Sequence, residues 1–92
     1  MAKKKRRGPV YAVVDLETTG TSVKTGSRII QIGCVLVQDG QVINEFETKI
    51  NPRTVVPLTI EQLTGIKNND VRDAPLFEDV APTLKSLLDD TI

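Results

Sequence analysis

Asp15 and Glu17 stand two residues apart at the end of the apolar run Val10-Tyr11-Ala12-Val13-Val14. That run reads as a buried strand. Alternate side chains of a strand point to one face, so the two carboxylates project together, with Ala12, Val14 and Leu16 on the opposite face. Two acids held side by side repel each other and lose hydration. An Arg or Lys partner, or a metal ion, compensates for that cost. Hard divalent cations such as magnesium and manganese prefer carboxylate oxygens. The pair therefore offers metal-dependent chemistry, with a solvated strand end as the plainer alternative.

Composition narrows the rest. The chain has no histidine, which excludes a histidine base or ligand within it. Its one cysteine, Cys34, cannot form an internal disulfide and lies in an apolar run, where a small core residue is expected. A reducing, cytoplasmic setting fits. No stretch approaches the ~18–20 apolar residues of a membrane span, and the basic start is not followed by the apolar core of a signal peptide.

With 92 residues the chain allows one domain at most, which buries only about 60–65% of its unfolded surface. Its zero net charge hides an asymmetry. Lys3, Lys4, Lys5, Arg6 and Arg7 form one run; without those five, 7 basic residues face 12 acidic ones, a net of −5. An acidic body argues against whole-surface attraction to nucleic acid, but not against a site where metal ions bridge carboxylates and phosphates. Residues 1–9 are expected to be a basic, disordered tail. On residue types alone it is a solubilising leader, a nucleic-acid arm or a nuclear-import signal.

The elements that must position the pair follow from periodicity. Strand 1 is expected from Val10 to Leu16, with a loop from Glu17 to Ser27. Strand 2 is expected from Arg28 to Gln38. Ile30, Ile32, Cys34 and Leu36 line one of its faces, and Ile29, Gln31, Gly33, Val35 and Val37 the other, so cover on both sides is expected. Asp39-Gly40 suits a type I′ turn. Strand 3, Gln41 to Ile50, alternates Phe46 and Ile50 with Glu45, Glu47 and Lys49. Three antiparallel strands result.

Asn51-Pro52-Arg53 breaks strand 3. Thr59 is expected to cap a short helix over Ile60 to Leu63, which Thr64-Gly65 ends. Asn68, Asn69 and Asp70 offer a cap for one more turn. Phe77, Val80, Ala81, Leu84, Leu87 and Leu88 complete an apolar stripe on a helix from Phe77 to Leu88. Pro82 lies inside it, and Asp89-Asp90 oppose the dipole at its end. Thr91-Ile92 reads as the first step of another strand.

Val14-Asp15-Leu16-Glu17-Thr18-Thr19-Gly20 resembles the first motif of the DEDD, or DnaQ-like, 3′–5′ exonucleases. Arg28-Ile29-Ile30-Gln31-Ile32-Gly33 resembles that family's second strand, and Leu63-Thr64-Gly65-Ile66 the segment after its short helix. Asp73-Ala74-Pro75 before an amphipathic helix also fits. The likeness runs from Val10 to Ile92 and is greatest to the exonuclease domains of Gram-positive DinG-type helicases and PolC-type DNA polymerase III.

The resemblance implies an α/β, ribonuclease H-like fold: a mixed five-stranded sheet whose first three strands are antiparallel, as read above. On that frame residues 10–92 are the N-terminal half of the domain, truncated after three strands and helices. The implied function is metal-dependent 3′–5′ exonuclease action on nucleic acid, DNA before RNA, in replication or repair. Two divalent cations, Mg2+ or Mn2+, are the implied cofactors. In the family's pattern Asp15 bridges both ions and Glu17 holds the one that carries the attacking water. Thr18 meets the terminal 3′ hydroxyl through its backbone N–H, with Thr19 and Gly20 in the same substrate-binding turn. Leu63 packs against the terminal base or sugar. Thr64 stands where the epsilon proofreading subunit has a histidine.

The implied partners are a nucleic-acid 3′ end, the other half of the domain and a fused helicase or polymerase, with no membrane. Carrying the first motif alone, the isolated chain is expected to be inactive. The competing reading is a non-catalytic interaction or structural module that keeps the start of the fold. Specific divalent-ion binding at Asp15 and Glu17 separates the two.

Overall fold

The computed structural model describes residues 7–20 and 28–92. Residues 1–6 of the basic tail and most of the loop after the carboxylates lie outside the described residues. Three strands come first: β1 (Val10–Thr18), β2 (Ile29–Gln38) and β3 (Gln41–Lys49). Three helices follow: α1 (Leu58–Thr64), α2 (Asn68–Arg72) and α3 (Phe77–Leu88). The sheet order is β1-β2-β3, antiparallel throughout, which is the ribonuclease H-like start expected. Asp39 and Gly40 take φ of 52° and 76°, the two positive values a type I′ hairpin turn needs.

Ile30, Ile32, Cys34 and Leu36 are all buried on a single face of β2. Ile32 and Ile50 pack with Val80 of α3, with Phe46 and Leu84 against them. Ile30 packs with Val56, Ile66 and Val71, and Ile60 of α1 leans on that group. So α3 lies over the middle of this face, and α1 and α2 over its Ile30 end. The Leu76 N–H donates to Asp79 Oδ2 at 3.2 Å, closing the first turn of α3. Pro82, which lacks a donor, sits on the exposed side of that helix.

Three expectations need correction. First, β2 is covered on one face only by the described helices. On the other face Tyr11 and Val13 of β1 stand 49% and 58% exposed, and Val35 and Val37 are half-buried. An apolar pattern on both faces signals a surface fit for a second layer, but does not itself supply one.

Second, β1 runs on to Thr18 instead of stopping at Leu16. Glu17 pairs with Gln31 and Thr18 with Ile29, which leaves Ile30 as an extra residue on β2. Such a bulge bends the strand and re-aims its side chains. Here the Ile30 carbonyl accepts from the Ile50 N–H at 2.8 Å. Ile29, expected on the opposite face, turns in to pack against Ile32, Ile50 and Val80.

Third, Thr59 is not the cap of α1. The helix starts two residues earlier, at Leu58, with Pro57, whose φ is −60°, at the cap position. The Pro57 carbonyl takes the N–H groups of Ile60 and Glu61, both at 3.0 Å. A ring that fixes φ near the helical value displaces a weaker hydroxyl cap. Gly65, with φ of 78°, ends α1 as expected. Asn68 serves the loop before α1 and not a helix cap. Its side chain bonds both backbone groups of Val56, at 2.7 and 3.2 Å. Asp70 instead caps the Lys67 N–H at 2.8 Å.

Thr91 pairs in parallel with Val10 on the side of β1 away from β2. The Ile92 N–H donates to the Val10 carbonyl at 2.9 Å, and the Ala12 N–H to the Ile92 carbonyl at 3.0 Å. The expected strand start is there, and it makes β1 an inner strand at its first residues. No helix of the described residues is long and apolar enough to cross a membrane.

Candidate active site

The register places the carboxylate pair. Asp15 lies opposite Gly33 and Glu17 opposite Gln31, on the face away from the helices. One strand further, Glu47 stands opposite Gly33 and Lys49 opposite Gln31. The Cα atoms of Asp15 and Glu17 are separated by two strand residues, about 7 Å. Asp15 is exposed and Glu17 half-buried. Gly33 puts no side chain beside Asp15, and a Cβ there would meet the Asp15 carbonyl at an ordinary 3.9 Å. The backbone therefore tolerates a larger residue, and what the glycine provides is open space next to Asp15.

Among the described residues the one ion pair joins Arg53 and Glu78, at 3.2 Å. Neither Asp15 nor Glu17 has an Arg or Lys partner there. Two neighbouring carboxylates, open to solvent and without a cation, are the donor type that hard divalent ions take. No group of three or more His, Cys, Asp or Glu forms among the described residues. The pair fits part of a metal shell, with the remaining positions left to water, substrate or other groups.

The turn after the pair is held from within. The Thr18 hydroxyl donates to the Gly20 carbonyl. The Thr19 N–H donates to the Arg28 carbonyl at 2.8 Å, and Thr19 Oγ1 accepts from the Arg28 N–H at 2.9 Å. Thr19 thus ties the end of β1 to the start of β2, and its N–H is already in use. Asp15, Glu17, Thr18, Thr19 and Gly20 are together on one strand end.

Leu63 and Thr64 come from α1, on the helix-covered face of the sheet, opposite to the face of the carboxylates. Ile60 packs α1 against the cluster of Ile30, Val56, Ile66 and Val71, and Ile30 is the bulged residue beside the Glu17 and Thr18 pairings. Leu63 then points outward at 80% exposure, so it is not a core residue. The Thr64 hydroxyl donates to the Ile60 carbonyl at 2.8 Å and accepts from the Ile66 N–H at 3.1 Å. Its proton serves the helix end.

Gly33 and Lys49 were not anticipated as neighbours of the pair. Counting back from the Asp39-Gly40 turn would put Phe46 opposite Gly33 and Thr48 opposite Gln31; a register shift that leaves Ile43 as an extra residue on β3 moves the row by one, to Glu47 and Lys49. A cavity of about 270 Å³ near Arg28, between the start of β2, the end of β3 and the start of α3, includes neither carboxylate. The pair stands on an open strand end.

The RNase_T family model, described as an exonuclease, matches residues 12–92. The 3′-5′ exonuclease DinG of Bacillus subtilis is 47% identical over 79 residues, which are 86% of this chain and 8% of that protein. DNA polymerase III PolC-type of Clostridium perfringens is 35% identical over 82 residues, 89% of this chain and 6% of that one. Among solved structures, the nuclease domain of 3′hExo, a DEDDh family member bound to rAMP, superposes with a TM-score of 0.76 at 22% identity. The match covers 87% of this chain and 44% of that one. Exonuclease X in complex with 5′ overhanging duplex DNA gives 0.70 at 27% identity, over 80% and 42%. The chain thus spans under a tenth of these sequence relatives and under half of these structural ones.

Proposed function

Because the chain belongs to the RNase_T exonuclease family, we propose that it supplies the first pair of metal-binding carboxylates of a 3′–5′ exonuclease. The observation that carries this reading is the shared face of Asp15 and Glu17, beside the open space at Gly33 and without a basic partner among the described residues. Asp15 and Glu17 would hold divalent cations, Mg2+ or Mn2+, in a two-metal site. When bound, such ions supply a nucleophilic water at neutral pH and offset charge on the leaving 3′ oxygen.

The chain's other residues orient the end of a strand. Leu63 offers an apolar surface to the terminal base or sugar, in line with its exposure. The backbone N–H of Thr18 is assigned to the terminal 3′ hydroxyl, with Thr19 and Gly20 shaping the turn that presents it. DNA is favoured over RNA by the names of the relatives: a PolC-type DNA polymerase, and exonuclease X in a DNA complex. Residues 10–92 form the first half of the nuclease domain in this reading, fused to a helicase or polymerase and working in replication or repair. The buried, unpaired Cys34 suits a cytoplasmic protein.

Titrating the chain with Mn2+ under nuclear magnetic resonance tests the proposal. Paramagnetic broadening is expected first at Val14 to Thr18 and at Gln31 to Gly33, and it should vanish in Asp15→Asn. Uniform broadening of every surface carboxylate would favour the non-catalytic module instead.

A further inference from the structure

The bulge at Ile43 decides which charges β3 presents on the face away from the helices. Beyond it Glu45 stands opposite Val35, Glu47 opposite Gly33 and Lys49 opposite Gln31. The same three rows continue on β1 as Val13, Asp15 and Glu17. Phe46 and Thr48 are half-buried on the helix side, whereas Glu45, Glu47 and Lys49 are exposed. Bulges that re-aim side chains in this way are over-represented next to active sites. The three rows therefore hold the carboxylates of Asp15, Glu17, Glu45 and Glu47, and a single cation, Lys49.

Lys49 shares its row with Glu17, two strands away. Two strand spacings put their Cα atoms about 9.6 Å apart. Lys49 has no ion-pair partner among the described residues, and residues 1–6 and 21–27 contain no acid that could supply one. Its ammonium, a compact charge on a flexible four-carbon stem, is open to a ligand. A polyanion crossing this face is repelled at the rows of Glu45 and Glu47 and attracted at the row of Lys49. The favourable way from Glu17 across the sheet is along the row of Gln31 and Lys49. Gln31, between the two charges, adds an amide that both donates and accepts.

We propose that Lys49 is a positioning residue of the exonuclease site. Its ammonium holds a backbone phosphate on the 5′ side of the scissile one. It thereby sets the line along which the nucleic-acid strand leaves Glu17, over Gln31 and the end of β3. The proposal rests on the exonuclease reading for the identity of the strand. The physical basis is counterion release: a Lys that neutralises a phosphate frees a condensed cation, whatever the base sequence. Standing two strands from the pair, Lys49 acts in binding and not in the chemical step. A lysine on an edge strand also deters edge-to-edge pairing, a role that involves no nucleic acid.

The test places Lys49→Gln and Lys49→Arg in a full-length protein that carries this domain, with single-stranded DNA bearing a 3′ hydroxyl as substrate. Single-turnover cleavage in Mg2+, from about 50 to 200 mM salt, gives the half-saturating protein concentration and the maximal rate. Lys49→Gln is expected to raise half-saturation about 5–10-fold at the lowest salt and to flatten the slope of log affinity on log salt by about 0.7, the share of one phosphate contact. The maximal rate should stay within about two-fold, as when binding common to ground and transition states is removed. Lys49→Arg keeps the charge and should restore both quantities. Unchanged half-saturation and slope in Lys49→Gln would overturn the proposal and leave the edge role. So would a fall in maximal rate alone, or a Lys49→Arg protein as weak as Lys49→Gln. Asp15→Asn measured alongside keeps the two readings apart. Normal cleavage by that variant would sink the exonuclease reading at the pair, while the salt slope would still report the contact at Lys49.

Discussion

Asp15→Asn and Glu17→Gln, each introduced into a full-length protein that carries this domain, are expected to lower single-turnover cleavage at least ~10³-fold, about 4 kcal/mol in the barrier. Strand binding should stay within a few-fold. Both substitutions keep size and hydrogen-bonding capacity and remove one negative charge. In the proposed two-metal reaction the acids would hold divalent cations, and a neutral amide at either position would weaken that hold. Phosphate contacts made elsewhere survive. They even gain, since one source of repulsion toward the backbone is gone. Paired measurements of cleavage and binding at fixed salt, with Mg2+ or Mn2+ present, decide the matter. Near-normal cleavage in either variant removes that residue from the catalytic set. Parallel loss of binding, cleavage and melting temperature would mean that the acids hold the fold together, which the exposure of Asp15 and the lack of an ion-pair partner for either acid among the described residues argue against.

The second large effect is on stability. Ile32→Ala is expected to destabilise the chain by about 3–4 kcal/mol. Ile32 is fully buried, and its methyls meet Ile50 and Val80. A domain of this size has roughly 5–14 kcal/mol in hand, so the midpoint of thermal unfolding should fall by more than about 12 °C. Val13→Ala, at a site 58% exposed, should cost under about 1 kcal/mol. Urea denaturation of the two variants makes the comparison. A loss below about 1 kcal/mol for Ile32→Ala would show that α3 does not pack on the sheet as described. Ile32 also faces Leu16 across the β1–β2 pairing, between the rows of Asp15 and Glu17. The same variant therefore loosens the floor beneath the carboxylates.

What was legible in the sequence was what neighbouring residues decide. Asp15 and Glu17 share a face because a strand alternates every two residues. The hairpin was legible because Asp39-Gly40 has one turn type to adopt. The stripe on α3 was complete from Phe77 to Leu88. Distant contacts decide the rest. Nothing local marks Ile30 as the bulged residue; it slips because Val56, Ile66 and Val71 make a pocket for it and Ile50 binds its carbonyl. Thr59 has the right chemistry for a cap and loses to the fixed φ of Pro57. Leu63 and Ile60 are both apolar residues in a helix too short to show a face. Ile60 takes the core because α1 is docked through it, which leaves Leu63 in solvent.

The pairing of Thr91 with Val10 has a consequence for the order in which the sheet assembles. Those partners are 81 positions apart, whereas Gln38 and Gln41 close the hairpin across three. Chain-closure entropy alone sets the long contact about 3 kcal/mol behind the short one. Its two hydrogen bonds return about 1 kcal/mol each, so the bridge cannot lead and has to wait for α3 to dock. The hairpin nucleates, β1 joins it, and the outer edge of the carboxylate strand is secured last. In hydrogen exchange the amides of Ala12 and Ile92 should open well before those of Cys34 and Leu36, so the strand that bears Asp15 and Glu17 is loosest along the edge where Ile92 joins it.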